Sequence, residues 1–150
     1  DNFCEKIRAG KSVIKSGNFM LIARIESLIL KQGLEDAMAR ATAYVEAGAD
    51  GIMIHSKETS PQEVFAFCDQ FRSVDPVTPI VAVPTTYCSV TEEELLAHGV
   101  NMVVYANQLL RASYPMMEKT ARSILEHHRA LESEDMCMSI KHILSLIETP

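Results

Sequence analysis

A chain of 150 residues with 47% hydrophobic content carries enough apolar material for one buried core, and this takes it out of the disordered class. Its 14 Lys and Arg are scattered among 20 Asp and Glu, for a net charge of -6, and form no basic stripe to neutralise nucleic-acid phosphates. No apolar run approaches the roughly 20 residues of a membrane-spanning helix, so we expect a cytoplasmic protein with neither nucleic acid nor membrane as partner.

In chain order, Phe3, Ile7 and Ile14 suggest a helix before the first apolar run, Phe19 to Glu26. Leu34, Ala37, Met38, Ala41 and Val45 then recur at helical steps, and Gly48 is placed to close that helix in a left-handed conformation. A second run, Gly51 to Ser56, is followed by a helix whose start is written as Ser60, Pro61 and Glu63. Its predicted stripe is Val64, Phe67, Cys68 and Phe71. The third run, Ile80 to Thr86, leads to a short helix capped by Thr91 with Glu94 and ending near Gly99; the fourth runs from Met102 to Asn107.

Beyond it, residues from about 109 to 130 read as a helix interrupted near Pro115, which lacks a backbone donor. The polar stretch Glu132 to Asp135 breaks the pattern. Met136, Ile140, Ile143, Leu144 and Ile147 then predict a final amphipathic helix. Continuous apolar runs mark buried parallel strands, and their spacing is that of consecutive βα units. We therefore expect an α/β fold in a single domain over residues 1–150, with four parallel strands forming either a small open sheet or half of an eight-stranded barrel. Neither a G-x-G-x-x-G nor a Walker-type phosphate loop is present. Cys4, Cys68, Cys88 and Cys137 show no pairing or zinc-ligand spacing and are expected to be reduced and structural.

In α/β barrels the chemistry sits where strands end. Here those ends carry Arg24, Glu26, His55, Ser56, Thr85 and Asn107. A guanidinium inside an apolar strand is costly unless it meets an anion, and two readings follow. Arg24 either pairs internally with Glu26, two residues on, or faces a pocket and grips a phosphate, phosphonate or carboxylate with Glu26 orienting it. His55 is a structural histidine on one reading and an oxyanion donor on the other, with Ser56 adding a hydroxyl. Thr85 and Asn107 supply neutral polar groups, or only turns and caps.

Five segments taken together are more specific than any single motif: Ala23-Arg24-Ile-Glu26-Ser27, Glu46-Ala-Gly-Ala-Asp50-Gly-Ile-Met-Ile-His55-Ser56-Lys57, Val83-Pro-Thr-Thr-Tyr87, Tyr105-Ala-Asn107 and Arg111-Ala-Ser113. In this order they resemble the phosphoenolpyruvate mutase branch of the isocitrate lyase superfamily, along nearly the whole chain. Most lyases of that superfamily carry glutamate at the position of His55.

The resemblance implies a (β/α)8 barrel of which this chain supplies the second half, strands five to eight, and the opening Asp1 in place of Met is expected of such a piece. It further implies interconversion of phosphonopyruvate and phosphoenolpyruvate, a small-molecule phosphonate or enol phosphate substrate, and Arg24 and His55 in contact with the migrating phosphoryl group. Mg²⁺ is the implied cofactor. Its ligands, together with the gating loop that separates mutase from hydrolase or lyase, belong to the first half, so no metal ligand is assigned here. A homo-oligomer with an exchanged C-terminal helix is implied as well. The competing readings are a phosphonopyruvate hydrolase or related C–C lyase, and a non-catalytic fragment that associates through its barrel edges and last helix.

Overall fold

The computed structural model describes residues 2–147, which fall into two compact units divided after Ala106. In the first unit, α1 (Asn2–Val13) precedes β1 (Ile22–Ile25), α2 (Gly33–Glu46), β2 (Gly51–Ile54), α3 (Gln62–Val74), β3 (Ile80–Ala82), α4 (Glu92–Ala97) and β4 (Met102–Val103). The four strands form one parallel sheet in the order β1-β2-β3-β4. A doubly wound sheet reverses its strand order at a switch point. Strictly sequential order is the pattern of a barrel's consecutive βα units.

Alternation along the strands sorts their side chains onto two faces. Ala23, Ile25, Ile52, Ile54, Ile80 and Ala82 are all within 1% of complete burial, and α2 packs against β1, β2 and α3. The register Arg24, Met53, Val81, Met102 defines the other face. There Arg24 and Met102 are exposed, Met53 is half-buried and Val81, flanked by both methionine positions, is closed in.

The α3 stripe falls as its spacing predicts, with Val64, Phe67, Cys68 and Phe71 each no more than 1% exposed. Burying such side chains contributes about 1.5–3 kcal/mol apiece before ordering costs. Gly48 closes α2 at φ +105°, where a Cβ would be strained, while Ala49 N–H reaches back to Tyr44 C=O at 3.0 Å.

The sheet end away from the candidate residues is tied by side chains. Asp50 accepts from Lys11 Nζ at 2.7 Å and from Leu21 N–H at 2.8 Å, joining α1 to the start of β1 and β2. Arg72 donates to the carbonyls of Asp75 (3.0 Å), Thr78 (2.8 Å) and Gly99 (2.8 Å), and to Asn101 Oδ1 (2.7 Å), which also accepts from Ile80 N–H (2.9 Å). One guanidinium thereby fixes the approaches to β3 and β4.

Several expectations are corrected. The strands are shorter than the apolar runs: Phe19 and Met20 precede β1 and are 62% and 48% exposed. The start of α3 differs too. Pro61 flanks the helix instead of opening it, and Ser60 Oγ accepts only a 3.4 Å contact from Gln62 N–H. Glu63 does not complete a capping box because its carboxylate is drawn to Ser56. Thr91 and Glu94, by contrast, form the full reciprocal box at α4. Cys4 and Cys68 are buried, and burial pushes the Cys68 thiol up to about 12; Cys88 and Cys137 are exposed, because they lie in surface segments instead of on apolar stripes.

The second unit holds α5 (Gln108–His127), a 3₁₀ turn at Leu131–Met136 and α6 (Ile140–Ser145). Pro115 lies inside α5 without ending it, so the helix runs on past the interruption expected there. The predicted Met136–Ile147 helix is shortened to six residues. Met136 belongs to the 3₁₀ turn, and Ser139 caps the new start by accepting from His142 N–H. Among the described residues no helix is long and apolar enough to cross a membrane.

Candidate functional site

Arg24 sits mid-strand in β1 on the sheet face not packed by helices, and its Nε donates to Glu26 Oε1. That bond requires both side chains to share a face, as positions two apart in a strand do. Both are about half exposed, at 48% and 42%, so the ion pair itself adds little stability. Its consequence is geometric. With Nε engaged, the guanidinium plane is fixed and, among the described residues, Nη1 and Nη2 have no hydrogen-bond partner.

His55 follows β2 directly and returns to the same face two residues beyond Met53. Burial, reinforced by the Arg24 charge and only partly opposed by Glu26, holds its imidazole below the ordinary histidine range. The ring is therefore neutral at pH 7, able to donate one N–H. Its Nδ1 is buried with no hydrogen-bond partner among the described residues.

Ser56 points the other way. It is fully buried, its hydroxyl donates to Glu63 Oε1 on α3, and its Oγ accepts from Glu58 N–H at 3.0 Å. Thr86 Oγ1 donates to the Ser56 carbonyl at 2.9 Å, and Thr85 N–H closes a tight turn on Val83 C=O at 2.8 Å. The structure thus brings Arg24, Glu26 and His55 together, while Ser56 faces α3. Thr85 is half-buried in the loop after β3. Asn107 opens the second unit, where its carbonyl accepts from Arg111 N–H at 2.9 Å.

Beside β1 lies a cleft of about 230 Å³ lined by Arg24, Glu26, Ser27, Gln32, Arg40 and Tyr44, among others. Behind it, Ser27 Oγ donates to Asp36 Oδ2 at 2.6 Å and Arg40 Nε to the same oxygen at 2.7 Å, which holds the Asp36 carboxyl below its usual range. Glu63, expected at a cap, and Asp36, which no local pattern marks, are the carboxylates behind the two strand ends. The signal was a serine closing each of two apolar runs, with a carboxylate seven or nine residues on.

The donor set does not suit a magnesium ion. Glu26 is engaged by Arg24, and among the described residues no group of three or more His, Cys, Asp or Glu is arranged to hold a metal. The arrangement offers a fixed cation and a neutral N–H donor on one surface, which suits a multiply charged oxyanion.

The phosphoenolpyruvate phosphomutase family matches residues 1–125. The chain belongs to that family. A phosphoenolpyruvate phosphomutase of Tetrahymena pyriformis is 37% identical over 97% of this chain and 48% of its own length. The crystal structure of a phosphoenolpyruvate phosphomutase from Streptomyces platensis subsp. rosaceus superposes with a TM-score of 0.87 at 40% identity, over 96% of this chain and 49% of that one. A phosphonopyruvate hydrolase solved with oxalate and Mg²⁺ gives a TM-score of 0.84 at 35% identity, over 96% and 50%. The chain therefore spans about half the length of these phosphomutase-family relatives, with the α/β architecture of four parallel strands expected of half the family's barrel.

Proposed function

We propose that this chain is the second half of a phosphoenolpyruvate phosphomutase barrel, acting in interconversion of phosphonopyruvate and phosphoenolpyruvate. The observation that carries this reading is the pairing, on one sheet face, of an Arg24 guanidinium whose two terminal nitrogens are open with a neutral, half-buried His55. In the reaction the P–C3 bond breaks, the oxygen on C2 takes the phosphoryl group, and a C2–C3 double bond forms. No water is consumed. The migrating group is metaphosphate-like, with charge spread over three oxygens, and rigid donors that remain in place as the charge shifts are the catalytic device.

Arg24 holds two of those oxygens through Nη1 and Nη2 while Glu26 keeps its plane from turning. The His55 N–H supports the third. Ser56 backs the strand end, and Thr85 is proposed as a supporting polar group. Mg²⁺, seen in the hydrolase relative, is proposed as the cofactor that holds the pyruvoyl part, with its ligands outside this chain. We further propose a cytoplasmic homo-oligomer in which the C-terminal segment packs on a neighbouring copy.

The test is a product assay on the enzyme that carries this chain. Phosphonopyruvate consumed with formation of phosphoenolpyruvate supports the mutase reading. Pyruvate and inorganic phosphate in its place would make it a hydrolase, the reading that the 35% identical relative favours.

A further inference from the structure

Two consecutive βα units repeat one device. Ser27 follows Glu26 at the end of β1, is 1% exposed and donates its hydroxyl to Asp36 on α2. Ser56 follows His55 at the end of β2, is 0% exposed and donates its hydroxyl to Glu63 on α3. In each unit a residue of the open face is followed by a buried serine clasped by a carboxylate of the next helix.

The second clasp stands behind a side chain that has no anchor of its own. A serine hydroxyl has one proton and two lone pairs. Ser56 gives the proton to Glu63 and a lone pair to Glu58 N–H, while its carbonyl takes the Thr86 hydroxyl. The residue after His55 is thus held by α3, by its own loop and by the loop after β3. His55 Nδ1, in contrast, has no hydrogen-bond partner among the described residues. The aim of the imidazole therefore depends on the backbone that Ser56 fixes.

We propose that Glu63 is a positioning residue, which through Ser56 fixes the end of β2 and so holds the His55 ring beside Arg24. The inference rests on the reading of His55 as a phosphoryl contact. Glu63 sits on the far side of the strand from the site and touches no substrate; it acts through another residue.

Three variants test it. Glu63→Leu removes the acceptor, Glu63→Gln keeps an oxygen for the Ser56 proton, and Asp50→Asn loosens the opposite end of the sheet as a structural control. The readouts are the His55 ring titration by NMR, and kcat and KM for phosphonopyruvate in the enzyme that carries this chain. In Glu63→Leu the ring titration should rise toward the ordinary value of about 6.5 as water reaches it, and kcat should fall about tenfold or more with KM within about threefold. Glu63→Gln should restore both, and Asp50→Asn should leave the His55 titration where it was.

A folded Glu63→Leu protein with the parent titration and kcat overturns the proposal, as does an equal shift in Asp50→Asn. Should Glu63→Leu not fold, Ser56→Ala removes the hydroxyl that Glu63 holds, and a parent-like titration there overturns the proposal as well. If saturating phosphonopyruvate leaves the His55 signals of the parent unmoved, the phosphoryl-contact reading is what fails, and the titration arm still decides the hold of Glu63 on the ring.

Discussion

Arg24 presents two nitrogens in a fixed plane, and a lysine in its place offers one mobile point charge. On the proposed function, Arg24→Lys in the enzyme that carries this chain should therefore reduce turnover of phosphonopyruvate about a hundredfold to a thousandfold, the typical cost of one preorganised donor; steady-state rates within threefold of the parent would remove Arg24 from the reaction. His55→Ala separates catalysis from folding in the same site. Because Nδ1 makes no hydrogen bond among the described residues, its loss strands no partner there, and the melting temperature should stay within a few degrees while turnover falls. A variant that melts far earlier yet turns over normally once folded would mark His55 as structural. Both residues were legible in the sequence because each interrupts or ends an apolar run where only function or a partner offsets the desolvation of a polar group. Ser56 was legible as a residue but not in its role. Which face it takes depends on the register of β2, and the partner that takes its proton lies on another element.

The elements whose signals are local were readable, and those whose groups are claimed from a distance were not. Thr91 and Glu94 close their box within four residues, whereas Glu63, in the same sequence pattern, is taken by Ser56 seven positions upstream. Gly99 shows how an element's end constrains its neighbour. At φ +82° a Cβ would be strained in itself and would lie 2.7 Å from Arg72 Nε, so Gly99→Ala should cost about 1–3 kcal/mol. Urea unfolding with an unchanged midpoint would show that the Arg72 clamp yields without penalty. The Asp50 clip at the start of β2 adds a pH dependence. The Leu21 N–H first, and then Lys11, hold its carboxyl below the usual carboxylate range. A group with a lowered folded value stabilises the fold above its unfolded value, near 3.8, and that contribution is lost as pH falls through the folded value. Thermal melts from pH 6 to pH 2 should show a smaller acid-induced drop in Asp50→Asn than in the parent; equal slopes would refute the linkage.

At the scale of the molecule, α5 runs 20 residues with none buried among those described, and Leu109, Leu110, Tyr114 and Leu125 are each more than half exposed. Met116, Met117, Ile124 and Met136 line an apolar groove of about 570 Å³ in the same unit. Single chains in water rarely leave so much contiguous apolar surface uncovered. The chain should self-associate, with a light-scattering mass above that of one chain, and Met116→Lys with Met117→Lys should lower it; a concentration-independent monomer with the parent sequence would contradict this. The strictly sequential strand order has a kinetic meaning as well. Each strand pairs with the one that precedes it in the chain, so the loop that must close to add a strand stays near 20 to 30 residues however many strands are already in place. Loop closure of that length is a modest and repeated entropic cost, and contacts of short sequence separation form fast. The sheet can therefore grow by accretion, each strand seating on the neighbour that precedes it in the chain.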